Sequence, residues 1–266
     1  QGWSVSFTFD RGDPAAERKR VEGTSAALAR PVIFIRTGKN LGFAGGNNIA
    51  LRMILQRNDA EYVWLLNPDM VVTPDTLSSL AEFASKQENA SAVTGGIIQD
   101  YHRPGKILFY GGAKINSWQG TVSFIRKPEQ IREMDYVSGG FLFTRAKHFR
   151  DISLLPEGYF LYWEEADWCC QARSQGLVMK VCVRAVGYNK GSTTIGKGYL
   201  AEYYYTRGSI LYASHYHKDR LPVMAVFHFL RLIKRLMQFR FDRAKGVIFA
   251  WKDRFTRPVS GRINGS

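Results

Sequence analysis

The sequence contains little cysteine and no long apolar run. Its three cysteines, Cys169, Cys170 and Cys182, have neither the CxxC spacing of a zinc site nor the even number of a disulfide framework. No segment approaches the ~20 apolar residues of a membrane-spanning helix, and Gln1-Gly2-Trp3 does not begin a signal peptide. These absences favour a cytoplasmic protein whose contact with the inner face of the plasma membrane, if any, is peripheral.

Acidic residues are scarce relative to basic ones. The chain has 37 Lys and Arg against 23 Asp and Glu, a net charge of +14. Residues 201–266 hold 13 basic and four acidic residues, so this tail carries +9 of that charge. An excess of this size favours anionic partners, which include nucleotides, nucleic acid and anionic membrane surfaces.

Strand-like and helix-like segments alternate along the first part of the chain. The apolar patterns predict strands at residues 4–9, 32–36 and 62–66 and helices at 48–57 and 74–86. Such alternation is typical of an α/β sheet flanked by helices. Capping residues support both helices, since Asn47 or Asn48 can cap the first, and Thr73 the second with Pro74 at its first position.

Later segments predict the second half of a mixed sheet and a helical appendage. Short strands and glycine turns fill residues 92–145, and a helix following Asp167 ends at Gln175 with Gly176 as its cap. A strand follows at residues 178–183. Residues 221–255 form an amphipathic, basic pattern, which fits a helix packed on the core, a helix on an anionic membrane surface, or a nucleic-acid-binding patch. We therefore divide the chain into residues 1–215 and 216–266.

The segment Asn67-Pro68-Asp69 ends an apolar strand with a carboxylate. Open α/β sheets bind ligands at the carboxyl edge of their strands, and a hard cation such as Mg²⁺ is commonly held by one or two carboxylates plus substrate phosphates. Asp69 is therefore a candidate metal ligand. Alternatively the three residues form only a turn, since all of them favour turns.

Residues 39–48 are rich in glycine and lead into a helix. Free backbone N–H groups at such a position can bind phosphate or sugar oxygens, which makes Gly45, Gly46 and Asn47 candidate ligand contacts. The segment matches neither a Walker loop nor GxGxxG. It fits a plain strand-to-helix connection equally well.

Three carboxylates, Glu164, Glu165 and Asp167, lie within four positions between aromatic residues. Apolar surroundings and neighbouring like charges raise the pKa of a carboxyl group, which suits one of them to act as a general base on a hydroxyl. Alternatively these acids stabilise a helix N-terminus through the helix dipole.

Together and in this order, these motifs resemble those of family 2 glycosyltransferases, and in particular the rhamnosyltransferase-like branch. The resemblance covers most of the chain, from residue 32 to residue 262. It rests on residues 40–47, 67–69 and 162–167 and on Arg173 and Gly176.

The resemblance implies a GT-A fold, which is a Rossmann-like mixed sheet, and an inverting reaction with a nucleoside-diphosphate sugar. Asn67 and Asp69 stand at the DxD-like motif, so that Asp69 would bind Mg²⁺ or Mn²⁺ at the diphosphate. Glu165 matches the second acid of the paired-acid motif and would be the base. The resemblance gives supporting roles in placing sugar, acceptor or base to Glu164, Asp167 and Arg173.

The sequence departs from the family pattern at two places. A further strand and helix usually precede the first strand found here, and this unit is absent. Asp10 then falls where similar enzymes recognise the nucleobase. At Asn189 many relatives have a histidine that binds the metal or diphosphate, so we expect Lys190 or Lys197 to hold the diphosphate instead.

The resemblance therefore predicts a metal-dependent transferase, with dTDP-rhamnose as the expected donor and a cell-envelope or lipid-linked glycan as the acceptor. A non-catalytic protein of the same fold that binds sugar nucleotides or glycans is the alternative. We expect no nucleic-acid partner, because the chain contains no recognised binding module.

Overall fold

Strands and helices alternate along the chain, as the sequence predicts. The computed structural model describes residues 4–6, 32–191 and 198–256. Its strands are β1 (Ser4–Ser6), β2 (Val32–Phe34), β3 (Tyr62–Leu66), β4 (Met70–Val72), β5 (Ala92–Asp100), β6 (Arg103–Tyr110), β7 (Gly112–Asn116), β8 (Thr121–Phe124), β9 (Tyr136–Val137), β10 (Phe141–Arg145) and β11 (Val178–Asn189). Its α-helices are α1 (Gly42–Arg57), α2 (Thr76–Ser85), α3 (Ala146–Asp151), α4 (Glu164–Ser174), α5 (Tyr199–Tyr216), α6 (Leu221–Met237) and α7 (Phe241–Thr256).

A mixed six-stranded sheet forms the centre of the molecule. Five strands run in the order β3, β10, β5, β11, β4, and β6 pairs with β5. The β5–β11 pair is parallel, and the other pairs of this sheet are antiparallel. Strands β8, β7 and β9 form a separate three-stranded sheet, and β1 pairs with β2 in parallel. The predicted mixed α/β fold is confirmed.

Alternating side chains of the central sheet separate two apolar layers. Phe141 and Phe143 of β10 pack with Leu80 of α2 on one face. Leu142 of β10 packs on the other face, in the larger core that includes Leu51 of α1. Because successive strand residues point to opposite faces, a one-residue slip of β10 would exchange the two layers and expose both. The register of β10 against β3 is thus fixed by burial.

Several predicted element bounds are wrong. The first helix begins at Gly42 rather than at residue 48, and Leu41 precedes it without a side-chain cap. The second begins at Thr76 rather than at Pro74, and the Thr73 hydroxyl bonds the Thr76 hydroxyl at 2.7 Å. The last strand, β11, continues to Asn189, six residues beyond the predicted end at Val183.

Gly176 follows the end of α4, as the sequence predicts. Its φ is +87°, in the left-handed region that glycine tolerates, and its N–H donates to the Arg173 carbonyl.

The amphipathic tail forms two helices, and both pack against the rest of the chain. Trp251 of α7 donates a hydrogen bond to the buried His228 of α6, and the Tyr203 hydroxyl of α5 bonds Asp253 of α7. Helix α6 and its neighbouring turn still expose many large apolar side chains: Val226, Phe227, Phe229, Leu230, Ile233, Leu236, Met237 and Phe239. In the part of the chain that the structure describes, no helix has both the length and the apolar character needed to span a membrane. The division at residues 215 and 216 stays a prediction.

Candidate functional site

The turn Asn67-Pro68-Asp69 crosses the end of the central sheet. It links β3 to β4, which lie at opposite ends of the strand order. The Asn67 N–H donates to the Gly140 carbonyl at 3.0 Å, just before β10, and the Lys190 N–H, just after β11, donates to the Asp69 carbonyl at 3.3 Å. The segment therefore forms a turn, and this turn also carries the predicted ligand position at the edge of the sheet.

One carboxylate oxygen of Asp69 is buried and has no hydrogen-bond partner among the described residues. Burying a charged oxygen without a partner is costly, so this atom is suited to receive a ligand. Within the described ranges, no group of three or more His, Cys, Asp or Glu side chains could hold a metal ion. Asp69 therefore fits a cation that takes most of its other ligands from substrate phosphates or water.

Asn189 and Lys190 lie beside this turn. Asn189 is paired with Met70 in the β11–β4 ladder, and its side-chain oxygen accepts the Gly191 N–H at 2.6 Å. The Lys190 ammonium lies 4.9 Å from the centre of the Tyr101 ring. The Lys190 backbone therefore lies next to Asp69, while its side chain lies against Tyr101, and its diphosphate role stays a prediction. Lys197 lies outside the described residues.

The paired acids form the first turn of α4. Glu164 is buried, and Glu165 is partly exposed. The segment before them has three non-glycine residues with positive φ, namely Phe160 at +67°, Tyr162 at +64° and Trp163 at +77°. Such backbone costs about 1–3 kcal/mol per residue and persists only where its surroundings impose it. Here it sets the direction from which α4 enters the site.

Burial and mutual repulsion act together on the two glutamates. Burial, followed by the charge of Glu165, raises the pKa of Glu164 well above its usual range. Burial also raises the pKa of Glu165, and hydrogen bonds from the backbone at Glu165 and Gly139 oppose that rise. Each carboxyl has one buried oxygen without a partner among the described residues. Because Glu164 is buried whereas Glu165 is partly exposed, a negative charge is less costly on Glu165.

A pair of glycines brings the two acidic parts of the site together. A Cβ added to Gly139 would lie 3.0 Å from the Phe43 ring and 3.4 Å from the Glu165 Cβ, and one added to Gly140 would lie 2.9 Å from the Asn67 amide nitrogen. The glycines therefore allow α1, α4 and the Asn67 turn to meet at the start of β10. Sequence reasoning treated them only as turn residues, although a Gly-Gly pair before an apolar strand is a sign of close backbone approach.

Asp167 faces the protein interior rather than the turn. It accepts hydrogen bonds from the hydroxyls of Tyr159 and Tyr216 at 2.6 Å and from the Gln171 amide at 2.8 Å, and His215 Nδ1 lies 3.3 Å away. Burial raises its pKa, but these side-chain hydrogen bonds outweigh the burial and leave the pKa lowered. Asp167 thus ties α4 to α5.

The glycine-rich segment is not the loop that the sequence predicts, because residues 42–57 are helical. Gly45 and Gly46 lie in the first turns of α1, and the Asn47 amide donates to the Phe43 carbonyl one turn earlier. A Cβ on Gly46 would meet no atom within 4 Å, so this glycine lies against open space. Asn48, a predicted cap, is buried and bonds the Leu155 backbone through both its oxygen and its nitrogen.

Arg173 lies at the opposite end of α4 from the paired acids. Its guanidinium bonds Asp135 at 2.8 Å. An α-helix rises about 1.5 Å per residue, so Arg173 is about 12 Å along the axis from Glu165. Arg173 therefore lies away from the paired acids, where it pairs with Asp135. Asp10, the predicted nucleobase contact, lies outside the described residues.

Comparisons with known proteins identify the family. A family model described as "Glycosyl transferase family 2" matches residues 18–153, which are 136 of the 266 residues. The chain is 25% identical over 191 residues to "Low-salt glycan biosynthesis hexosyltransferase Agl10" of Haloferax volcanii, covering 67% of this chain and 60% of that protein. It is 25% identical over 155 residues to "Rhamnosyltransferase WbbL" of Escherichia coli, covering 53% of this chain and 58% of that protein.

A solved structure has a similar fold. The structure described as GalNAc-T7 with UDP, GalNAc and Mn²⁺ matches with a TM-score of 0.54 at 14% identity, covering 95% of this chain and 51% of that one. This likeness concerns the fold alone. The family match contains the Asn67 turn, Gly139 and Gly140 and ends before Glu164, so the role of the paired acids stays a prediction. The chain belongs to glycosyl transferase family 2, a family of sugar-transferring enzymes, and has the GT-A fold.

Proposed function

We propose that this chain transfers a sugar from a nucleoside-diphosphate donor to an acceptor hydroxyl, with inversion at the anomeric carbon. The observation that carries the proposal is the approach of Glu165 to Gly139 and of the Asn67 turn, which ends in Asp69, to the adjacent Gly140. Asp69 and Glu165 each have a buried oxygen that lacks a partner among the described residues. One such carboxylate suits a cation at the diphosphate, and the other suits an acceptor proton.

Glu165 is the proposed general base. Its raised pKa reflects burial, and a base of raised pKa binds the acceptor proton more strongly. Burial and the charge of Glu165 raise the pKa of Glu164, and a protonated Glu164 would limit repulsion between the two side chains. Asp167 and the strained segment before α4 hold Glu165 toward the acceptor, which attacks from the side opposite the diphosphate.

Asp69 is the proposed ligand of Mg²⁺ or Mn²⁺. When bound, such a cation stabilises the negative charge that develops on the departing nucleoside diphosphate. Lys190 lies beside Asp69 and adds a positive charge on the same edge of the sheet. The presence of Mn²⁺ and UDP with the similarly folded GalNAc-T7 supports this assignment.

We further propose dTDP-rhamnose as the donor and a cell-envelope or lipid-linked glycan as the acceptor. The resemblance to a protein described as a rhamnosyltransferase and to one described as a glycan biosynthesis hexosyltransferase supports this choice. The exposed apolar side chains of α6, with Lys234 and Arg235 among them, support peripheral contact with an anionic membrane on its cytoplasmic face.

Transfer kinetics with purified protein test the proposed roles. Glu165→Gln is expected to lower kcat by about 10²–10⁴-fold with little change in the KM for the donor, since general-base catalysis contributes that much. Asp69→Ala is expected to remove the dependence of donor binding on Mn²⁺. The exposed residues Glu129 and Asp151 supply matched controls, Glu129→Gln and Asp151→Ala, which should retain wild-type kinetics.

Two outcomes would contradict the proposal. Near-wild-type transfer by Glu165→Gln would remove Glu165 as the base, and metal-dependent donor binding by Asp69→Ala would move the metal elsewhere. A wild-type chain that binds the donor without transferring or hydrolysing it would instead be the non-catalytic binding protein.

A further inference from the structure

An open cavity of about 400 Å³ lies between the three-stranded sheet and the C-terminal helices. Strand β8, the segment before α4, and helices α5, α6 and α7 all contribute to its wall. The lining residues are Thr121, Val122, Tyr162, Ala201, Glu202, Tyr205, Arg231, Arg235 and Arg243.

Three arginines face this cavity against one carboxylate. Glu202 accepts hydrogen bonds from Arg235 at 3.2 Å, and its carboxylate lies 3.8 Å from the Arg231 guanidinium. The structure shows no side-chain partner for Arg243 among the described residues. Arginine stays protonated in proteins. The lining therefore carries three positive charges and one negative charge, an excess of two.

Two of the three arginines, Arg231 and Arg235, are held in place by contacts with neighbouring side chains. Arg231 is mostly buried, its guanidinium lies 5.5 Å from the centre of the Tyr205 ring, and burial lowers its pKa. The Tyr205 hydroxyl in turn accepts the Val122 N–H at 3.0 Å. A partly buried, preformed excess of positive charge favours an anion of matching charge, because arginine binds phosphate oxygens in a fixed, bidentate geometry.

The cavity is next to the proposed base. Tyr162 lines it, and Glu165 follows three residues later, so the two Cα atoms are separated by no more than about 11 Å. The arginines come from helices beyond Tyr162, whereas Asp69 and Lys190 lie at the end of the central sheet. The cavity is thus built from segments other than the Asn67 turn, and an anion bound there would belong to a molecule other than the donor diphosphate.

We propose that this cavity is an acceptor subsite that binds a doubly charged phosphate or diphosphate group through Arg231, Arg235 and Arg243. The proposal rests on the transferase function proposed above and names the chemistry of its second substrate. An acceptor anchored by its phosphate in this cavity would present its sugar hydroxyl toward Glu165 along the Tyr162 side.

Calorimetric titration of the full chain in EDTA tests the subsite without requiring turnover. The probes are farnesyl diphosphate, inorganic pyrophosphate and farnesol, which separate a lipid diphosphate, a free diphosphate and an uncharged lipid. Wild-type protein is expected to bind both diphosphates and to bind farnesol at least tenfold more weakly. Tighter binding of farnesyl diphosphate than of pyrophosphate would identify a lipid-linked source, and equal binding a free or soluble one.

Variants locate the binding. Arg243→Gln is expected to weaken diphosphate binding about 10- to 100-fold, since a hydrogen bond to a charged group contributes enough for that loss. Arg240→Gln removes the same charge from an exposed residue outside the cavity and should bind as wild type. Lys190→Gln should also bind as wild type, because the donor site is not involved.

Wild-type binding by Arg243→Gln would overturn the proposal, as would an equal loss in Arg240→Gln, which would indicate unspecific surface charge. Loss of binding in Lys190→Gln would assign the diphosphate to the donor site instead. These results are independent of transfer, so the subsite can fail while the transferase function holds, and the reverse. Equal melting temperatures of the variants would show that all are folded.

Discussion

Replacing Asp167 by asparagine separates a positioning role from a direct catalytic one. The substitution keeps the shape of the side chain and removes its charge. Four donors now converge on the carboxylate, from Tyr159, Tyr216, Gln171 and His215. An amide presents one oxygen and an NH₂ group, so at least one of these donors would face a donor instead of an acceptor.

The magnitude follows from the number of hydrogen bonds. A hydrogen bond to a charged group contributes about 1 kcal/mol more than a neutral one, and four donors give an upper limit of about 4 kcal/mol. Tyrosine hydroxyls can rotate to accept from the new NH₂ group, which recovers part of this. We therefore expect Asp167→Asn to lower the free energy of unfolding by about 2–4 kcal/mol at pH 7, measured by urea denaturation.

The pH dependence gives a second, independent readout. Because the folded-state pKa of Asp167 is lowered, its stabilisation is fully present above the unfolded pKa of about 3.9 and is lost as the pH falls through the folded value. The difference in stability between wild type and Asp167→Asn should thus shrink between pH 5 and pH 3. Equal stability at pH 7, or a difference that grows in acid, would refute this account. A large loss of kcat with unchanged stability would show a direct catalytic role.

Three further substitutions test other parts of the structure. In urea denaturation, Glu164→Gln should become more stable relative to wild type as the pH rises from 4 to 8, because the raised pKa of Glu164 means that its ionisation destabilises the fold. A stability difference that stays constant with pH would contradict the burial of Glu164. Gly208→Ala should lower the free energy of unfolding by about 1–3 kcal/mol in spite of better helix propensity, since its Cβ would lie 2.6 Å from the Trp163 ring; a more stable variant would show that Trp163 can move. Gly46→Ala, in open space on α1, should raise the free energy of unfolding by about 0.5–1 kcal/mol. A melting temperature below that of wild type would show that the added methyl group meets a neighbouring atom.

Much of the fold could be predicted from local pattern. The strand at residues 62–66 follows from its run of apolar residues, and the end of α4 at Gly176 follows from the left-handed φ that glycine tolerates. Both signals depend on a few neighbouring residues. The start of α1 could not. Glycines at 42, 45 and 46 favour a loop locally, but the Phe43 N–H donates to the Phe160 carbonyl far along the chain, and this contact begins the helix earlier. Tertiary contact overrides propensity there.

The candidate site shows the same division. Motif order placed Asp69 and Glu165 as candidates. The structure brings Glu165 to Gly139 and the Asn67 turn, which contains Asp69, to Gly140, and the roles of both acids stay predictions. The different tasks of Glu164, Glu165 and Asp167 could not be read from three acids within four positions. The task of Asp167 depends on Tyr216 and His215 of α5, which contact its carboxylate, and only the packing of α5 on α4 brings them there. The cavity lined by arginines could not be predicted from the sequence for a similar reason, since its charged residues come from separate helices.

The turn at Asn67 has a consequence for how the protein responds to its donor. Its two backbone hydrogen bonds join residues next to β10 and β11, strands that lie far from it in the sequence. A chain in which either strand has come away from the sheet therefore has no complete binding edge. A donor that binds only the assembled edge would stabilise the sheet as a whole, by a free energy that grows with the logarithm of donor concentration. Slow hydrogen exchange in β10 and β11 on adding the donor would thus report occupancy of a site that neither strand forms alone.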